Sequence, residues 1–470
     1  MRLKSLQLQN FRGYANHEFS LHPQFNLIVG ENGAGKTSFL EAASVAIGSW
    51  FLGIRGYDSR NIRARDIRIE RDFLEQRYRE LPQYPVRVGA TGTFPIMEAK
   101  RNDGTGQVEI SAGAKEVSLA WSRSLEGENG RTTQQDARPI KKLAETLAST
   151  VYKRQPRILP LIRYFGAGRL WESVRDSEKN RAKHKNLQPQ DLADADELDR
   201  AFAEHEELKK PFYGYKFSVD KRCSADDIIR WIEYERRNEL DDEQASVSLK
   251  LVYQAILSML PGAKAVRYQM KQKTLLIELE SGRLLAYQEL SDGYRNVLAI
   301  AADLAIKAVM LNPQLAERAL ELTHGVVLID ELDLHLHPKW QQTIIESFRK
   351  TFPNLQFLCT THSPFLIQSL RSGEELIVLD GQPVADVANL NIDDIAAGLM
   401  QVPHPQVSSR YTEMKTVARH YLEELETAPM DAADKLEAFK EKLASSIGPY
   451  ADNPAYQALL EMQRVAKIGE

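Results

Sequence analysis

Gly30-Glu31-Asn32-Gly33-Ala34-Gly35-Lys36-Thr37-Ser38 is the stretch on which the reading of this chain turns. A short apolar run, Asn26 to Val29, ends at its first glycine, and a helical stretch from Lys36 to about Ile47 follows it. The spacing is G-x-x-x-x-G-K-[ST], set between a strand and a helix, which is where a phosphate-binding loop has to sit. Its glycines let backbone N–H groups turn toward the β- and γ-phosphates, and the helix N-terminus adds positive potential. Lys36 supplies a point charge and Thr37 a hydroxyl for Mg²⁺. Asn32, Gly33, Ala34, Gly35, Lys36, Thr37 and Ser38 are the expected nucleotide contacts. A chance glycine turn would not bring the flanking strand and helix with it.

Three further segments fall into place around this loop. Gly325-Val326-Val327-Leu328-Ile329-Asp330-Glu331 reads as a buried strand that delivers two carboxylates to its C-terminal end. Asp330 is expected to hold the magnesium with Thr37, and Glu331 to polarise the attacking water. Cys359-Thr360-Thr361-His362-Ser363-Pro364 closes the next strand, where His362 can contact a γ-phosphate. Leu290-Ser291-Asp292-Gly293-Tyr294-Arg295 opens a long helix, and a Ser hydroxyl with a Gly N–H at a helix start again suits phosphate. Taken alone, each of the three has an ordinary structural reading: a strand end, a satisfied histidine, a capped helix. Their presence with the phosphate loop in one chain favours the functional one.

Length and composition agree. The 470 residues allow about three modules, or one large α/β domain with insertions. Hydrophobic residues at 43% and charged residues at 27% exclude disordered and collagen-like classes. No apolar stretch approaches the ~18 residues of a membrane span. The opening Met-Arg-Leu-Lys-Ser does not read as a signal peptide. Cys223 and Cys359 lie far apart and outside any ligand-spaced cluster, which suits a reducing cytoplasm. The net charge of −4 argues against a uniformly basic nucleic-acid coat but leaves a local basic groove open. Eight arginines lie between Arg55 and Arg79, with acidic residues among them. A salt-bridged face is the first expectation there and a DNA groove the second. In Asp333-Leu334-His335-Leu336-His337-Pro338 the alternate histidines invite a metal reading beside that of a loop following the acidic strand.

Along the chain, Leu3 to Leu8 and Pro85 to Phe94 are strand-like, and a hairpin is expected within residues 100–135. Ile158 to Phe165 is a buried-strand candidate ending in Gly166-Ala167-Gly168-Arg169. Residues 172–222 are strongly charged and read as a helical insertion. Leu249, Val252, Ile256 and Leu260 keep helical spacing up to Pro261-Gly262, and a hairpin spans Leu275 to Tyr287. Alternating helices and strands from Leu290 to about Leu379 predict a parallel sheet. Beyond residue 390 the apolar stripes Met414, Val417, Tyr421, Leu425 and Leu436, Phe439, Leu443 predict helices, with a last one capped at Asn453-Pro454.

The order of these motifs resembles the ATP-binding-cassette ATPases, in particular the RecF/SMC-like branch, and Asn10-Phe11-Arg12-Gly13 resembles the opening of RecF-like proteins. The resemblance covers roughly residues 1–50, 155–170 and 285–380 and implies an α/β fold. That fold is an ABC-type P-loop NTPase head with a mainly helical insertion and a C-terminal helical region. Its expected parts are a first lobe at 1–170, the insertion at 171–264, a second lobe at 265–390 and the helical region at 391–470. The resemblance further implies ATP and Mg²⁺ as cofactors and two heads sandwiching two ATPs. Ser291, Asp292 and Gly293 of one head would complete the site on the other, and Arg12 would join the nucleotide contacts. Three departures are visible. Asp292 and Tyr294 stand where many transporters have Gly and Gln. Gly168 stands where the resemblance places a glutamine that contacts magnesium and water, so fast hydrolysis is not implied. The roughly 120 residues from Arg169 to Leu290 are too few for a long coiled coil.

Within that branch, Ser291 to Asn296, Asp330 to Trp340 and the tail look like the ATPases of bacterial defence islands, among them the PtuA family of the Septu anti-phage system, also found with some retrons. This resemblance implies a homo-oligomer bound to a separate HNH nuclease of the PtuB type, cutting DNA under nucleotide control, in the cytoplasm and without a membrane partner. No Glu followed by Asp-x-Asp at strand ends and no His-Asn-His motif is found, so a nuclease is expected on another chain. The amphipathic helices from about 411 to 468 are its expected docking surface, self-packing being the alternative. Two other readings stay open: a RecF-like DNA repair ATPase, and an ATP-clamped scaffold with little turnover.

Overall fold

The structure, a computed structural model, describes residues 1–74, 77–96, 99–101, 108–110, 115–170, 208, 210–379, 390–400, 402, 405–426 and 462. The chain divides into two compact units, Met1–Ile395 and Ala396–Glu470.

In the first unit, β1 (Arg2–Phe11) and β2 (Tyr14–Ser20) pair antiparallel, and β3 (Phe25–Val29), buried at every residue, leads to α1 (Lys36–Gly48). A hairpin of β4 (Ile69–Leu74) and β5 (Arg77–Pro82) precedes β6 (Val86–Ile96). A short antiparallel pair, β7 (Ala99–Arg101) and β8 (Val108–Ile110), is followed by β9 (Lys115–Leu125), α2 (Arg138–Tyr152) and β10 (Leu161–Phe165). Two helices within the expected insertion, α3 (Ala225–Asp241) and α4 (Val247–Met259), lead to a meander of β11 (Ala263–Gln269), β12 (Thr274–Leu279) and β13 (Leu284–Ala286). The unit closes with α5 (Asp292–Leu311), β14 (Gly325–Ile329), α6 (Ile344–Thr351), β15 (Leu355–Thr360) and β16 (Leu376–Val378).

Two sheets organise it. The parallel sheet has the order β10-β14-β15-β3-β16, and the antiparallel sheet β2-β1-β6-β9. The strands β3, β10, β14 and β15 are mainly apolar and buried at every residue, without alternation, because both faces of a parallel sheet are covered. Each large apolar side chain buried there contributes roughly 1.5–3 kcal/mol. α1 touches strands of both sheets, β14 and β15 of one and β1, β6 and β9 of the other. It is therefore buried nearly all round, as its run Phe39 to Ile47 requires. Trp121 of β9 adds a polar tie, donating from Nε1 to Ala46 O at 2.9 Å. The result is the α/β P-loop head that the sequence predicts, with the phosphate loop between the C-terminal edge of β3 and α1.

Residues 171–207 and 209 of the expected helical insertion lie outside the described residues. Its segment 210–222 contains one short helical turn, Tyr213–Tyr215, and then further tight turns that dock on β10. Tyr164 N–H donates to Ser218 O, Gly166 N–H to Lys221 O, and Cys223 N–H to Arg169 O. Arg163, 1% exposed, holds that segment by donating to Phe217 O, Asp220 O and Arg222 O, while Asp303 on α5 balances its charge. Strand β11, absent from the sequence reading, alternates in burial directly after Pro261-Gly262. In the second unit a helix, Ser409–Glu426, runs over the first apolar stripe. The stripe Leu436, Phe439, Leu443 and the cap at Asn453-Pro454 lie outside the described residues.

Candidate functional site

The phosphate loop needs its glycines for backbone reasons. Gly33 (φ +92°) and Gly35 (φ +101°) occupy the left-handed region, and a Cβ on Gly35 would stand 2.8 Å from Tyr14 Oη. The Tyr14 hydroxyl in turn donates to Gly35 O at 3.0 Å, so a β2 residue buttresses the loop. Asn32 and Gly33 are exposed, while Ala34, Gly35 and Ser38 are half-buried. The buried Lys36 ammonium lies across the loop and donates to Gly30 O and Glu31 O, both at 2.8 Å. Gly35 caps α1 without any side-chain hydrogen bond, which leaves the first-turn amides of α1 uncapped by side chains.

Beside this loop the parallel register carries Asp330 and Glu331 past the end of β14. Asp330 is 5% exposed, and Thr37 Oγ1 donates to its Oδ1 at 3.3 Å. Thr360, the last residue of β15, donates to the same Oδ1 at 2.7 Å and accepts from the Glu331 N–H at 2.8 Å. Glu331 is half-buried and sits at φ +51°, unusual for a residue with a Cβ. A hydroxyl and a carboxylate converging beside a lysine form an all-oxygen donor set that suits a hard cation such as Mg²⁺ on a nucleotide.

Arg169, in the turn after β10, closes the back of the site. Its Nη1 donates to Gly166 O and Asp330 O at 2.8 Å each, its Nη2 to Glu331 O at 3.3 Å, and its Nε to Asn296 Oδ1 at 2.5 Å. Burial presses the guanidinium down to about 10, which leaves it cationic at neutral pH. The sequence reading pointed to this turn through Gly168; the residue that reaches the other motifs is Arg169. Gly is also where the next close contact lies. A Cβ on Gly293 would stand 2.4 Å from His335 O, so α5 and the loop after Glu331 meet backbone to backbone. Ser291, exposed at the start of α5, makes no capping hydrogen bond with its side chain, and Asp292 lies 3.5 Å from Arg295.

His362 is exposed, and its backbone N–H donates to Asp333 Oδ1 at 3.3 Å. Thr361 Oγ1 donates to the same oxygen at 2.6 Å, so Asp333 fastens the histidine turn to the loop after Glu331. His337 uses Nδ1 to accept from the Lys339 N–H, as a helix cap.

Arg12, at φ +48°, is committed to carboxylates: it donates to Asp66 Oδ1 at 2.8 and 3.1 Å and lies 3.8 Å from Glu41 Oε1. Glu41, one turn into α1 and 1% exposed, also pairs with Arg60 at 2.8 Å and with Lys221. Burial alone would raise the Glu41 carboxyl, but Lys221 and Arg60 outweigh it and hold the group at about 2. Several arginines of the Arg55–Arg79 run are thus salt-bridged: Arg60 to Glu41 and Asp66, Arg68 to Glu70, Arg71 to Glu80.

Against known proteins, a family model described as an AAA domain matches residues 5–256. A second, described as an AAA domain, putative AbiEii toxin, Type IV TA system, matches residues 151–368. The chain is 25% identical over 411 residues to the Retron Vc95 probable ATPase of Vibrio cholerae serotype O1 biovar El Tor, covering 80% of this chain and 73% of that protein. It is 41% identical over 137 residues to the Retron Ec83 probable ATPase of Escherichia coli, covering 29% of this chain and 25% of that one. With the Septu protein PtuA of Bacillus mycoides (strain KBAB4) it shares 40% identity over 95 residues, 20% of this chain and 13% of the relative.

Proposed function

Since the chain belongs to the AAA domain family and is an ATPase, we propose that it is the ATP-binding and ATP-hydrolysing subunit of an anti-phage defence complex, regulating a separate nuclease of the HNH type that cuts DNA under nucleotide control. The meeting of Thr37 Oγ1 and Asp330 Oδ1 at 3.3 Å beside the Lys36 ammonium carries the nucleotide half of this reading. Similarity to a retron ATPase along most of the chain, and to a Septu protein over part of it, supports the defence half.

In this reading the loop from Asn32 to Ser38 binds the phosphates, with Arg12 at its flank. Thr37 and Asp330 would hold Mg²⁺, which would supply charge neutralisation to the phosphates. Glu331 orients and polarises a water whose oxygen bonds to the γ-phosphorus as the bond to the β–γ bridging oxygen breaks. His362 contacts the γ-phosphate. Ser291, Asp292 and Gly293 complete the site of a second head, so the working form is a homo-oligomer of paired heads. The lobes 1–170 and 265–390 make one head, 171–264 is its insertion, and 391–470 is the docking region for the nuclease.

The first test is nucleotide binding and turnover. Lys36→Ala is expected to abolish ATP binding, and unchanged affinity would overturn the site. Glu331→Gln is expected to keep ATP bound while turnover drops by roughly 10²–10⁴-fold; equal rates in variant and wild type would leave only a nucleotide-clamped scaffold. The second test is co-purification. A bound HNH nuclease supports the defence reading, whereas ATP-dependent binding to gapped DNA without a nuclease favours a RecF-like repair role.

A further inference from the structure

One cation sits at the junction of the site's three backbone segments. Arg169 is 2% exposed and spends its guanidinium on four acceptors: Gly166 O in its own turn, Asp330 O and Glu331 O beyond β14, and Asn296 Oδ1 on α5. Asn296 carries the connection on, donating from Nδ2 to Leu334 O at 3.1 Å. The same α5 starts at Ser291 and touches the loop after Glu331 at Gly293.

The acceptors explain what such a group can do. Three of the four are carbonyl oxygens, so Arg169 acts on backbone and not on reacting atoms. Two of those carbonyls, Asp330 O and Glu331 O, bracket the Glu331 backbone, which is held at φ +51°. A left-handed residue with a side chain persists only where its surroundings impose it. The planar, multiply donating fork of arginine can span such a set, and the compact ammonium of lysine cannot.

We propose that Arg169 is a positioning residue for hydrolysis: it fixes the backbone that aims the Glu331 carboxylate and couples that aim to the seating of α5. An α5 drawn forward by its contact with a second head then pulls on Asn296 and Arg169, and through them on Glu331. The inference rests on the reading of Glu331 as the group that activates water. It also gives the Gly166–Arg169 turn a task that needs no glutamine.

Steady-state ATP turnover of Arg169→Lys, Asn296→Ala, their double variant and Glu331→Gln tests it, with nucleotide affinity and thermal melting measured on each. Arg169→Lys is expected to lower kcat on the order of 10²-fold with KM and ATP affinity unchanged, since small misplacements of a catalytic group cost that much. Asn296→Ala is expected to lower kcat less, and the double variant no further than Arg169→Lys, because both act through one network. A wild-type kcat in folded Arg169→Lys overturns the proposal, as does a loss that appears equally in ATP affinity. If Arg169→Lys does not fold, Asn296→Ala decides, and an unchanged kcat there overturns it. If Glu331→Gln itself keeps wild-type turnover, the reading of the site falls and this inference with it; if only Glu331→Gln is inactive, this inference alone falls.

Discussion

Thr360 is 1% exposed at the end of β15, with its hydroxyl between two groups of the neighbouring strand end, Asp330 Oδ1 at 2.7 Å and the Glu331 N–H at 2.8 Å. Valine has the same shape and neither hydrogen bond. Thr360→Val therefore leaves a buried carboxylate oxygen and an amide without this partner, at a cost of about 1–3 kcal/mol. A lower melting temperature together with slower turnover is expected, and Thr360→Ser should restore both. Unchanged melting and turnover in Thr360→Val would show that the hydroxyl bridge is dispensable. The phosphate loop was legible in sequence because its spacing is local. Thr360, Tyr14 and Arg169 were not, because each reaches a partner far along the chain: Thr360 lies 30 positions from Asp330, Tyr14 21 from Gly35, and Arg169 127 from Asn296. Arg12 was legible as part of a motif, but its carboxylate partners were not, since the run that supplies Asp66 read as a surface of alternating charges.

Among the elements, α5 packs so close to the loop after Glu331 that Gly293 has no room for a methyl group, with His335 O 2.4 Å from where it would stand. Gly293→Ala is expected to push the start of α5 away, costing about 1–3 kcal/mol as overpacking does. In the paired-head reading it should impair turnover and ATP-driven pairing while single heads still bind ATP. Gly53→Ala is the contrast. Its Cβ would stand 2.4 Å from Lys141 O on α2, so melting should fall while nucleotide affinity holds. Differential scanning calorimetry and nucleotide titration on the two variants separate these outcomes. The strands β3, β10, β14 and β15 announced themselves by mainly apolar sequence, whereas the seven-residue β11 was hidden by Lys264, Arg267 and Gln269 within it and by the Pro261-Gly262 stop just before it. The docked segment 217–223 carries no pattern of its own. Its shape is imposed by the buried Arg163, which donates to three carbonyl oxygens of that segment.

For the whole molecule, the ionic cluster of Arg12, Glu41, Arg60, Asp66 and Lys221 joins the phosphate-loop helix to the docked segment 217–223. The Glu41 carboxyl is held at about 2 in the folded protein, against an ordinary 4.5. The unfolded chain takes up this proton more readily, so the stabilisation is present above pH 4.5 and is lost as pH falls from 4.5 toward 2. Its size at neutral pH is roughly 3 kcal/mol. Glu41→Gln should cost stability at neutral pH, because Arg60 and Lys221 lose their shared anion, and should flatten the acid limb of the melting curve. An acid limb as steep as that of the wild type would remove Glu41 from the cause.

The strand order β10-β14-β15-β3-β16 also governs how the protein comes off the ribosome. The antiparallel sheet needs only residues up to Leu125, so it can form early in synthesis. The nucleotide strand β3 cannot: its neighbours are β15, beginning at Leu355, and β16, ending at Val378. More than three hundred residues must therefore emerge while an apolar strand waits with both edges bare, a state that long-range parallel pairing makes slow to leave and open to aggregation. A nascent chain stalled before Leu355 should consequently be soluble only with a chaperone's help, and the capacity to bind ATP should arrive late and all at once, as the last two strands close around β3.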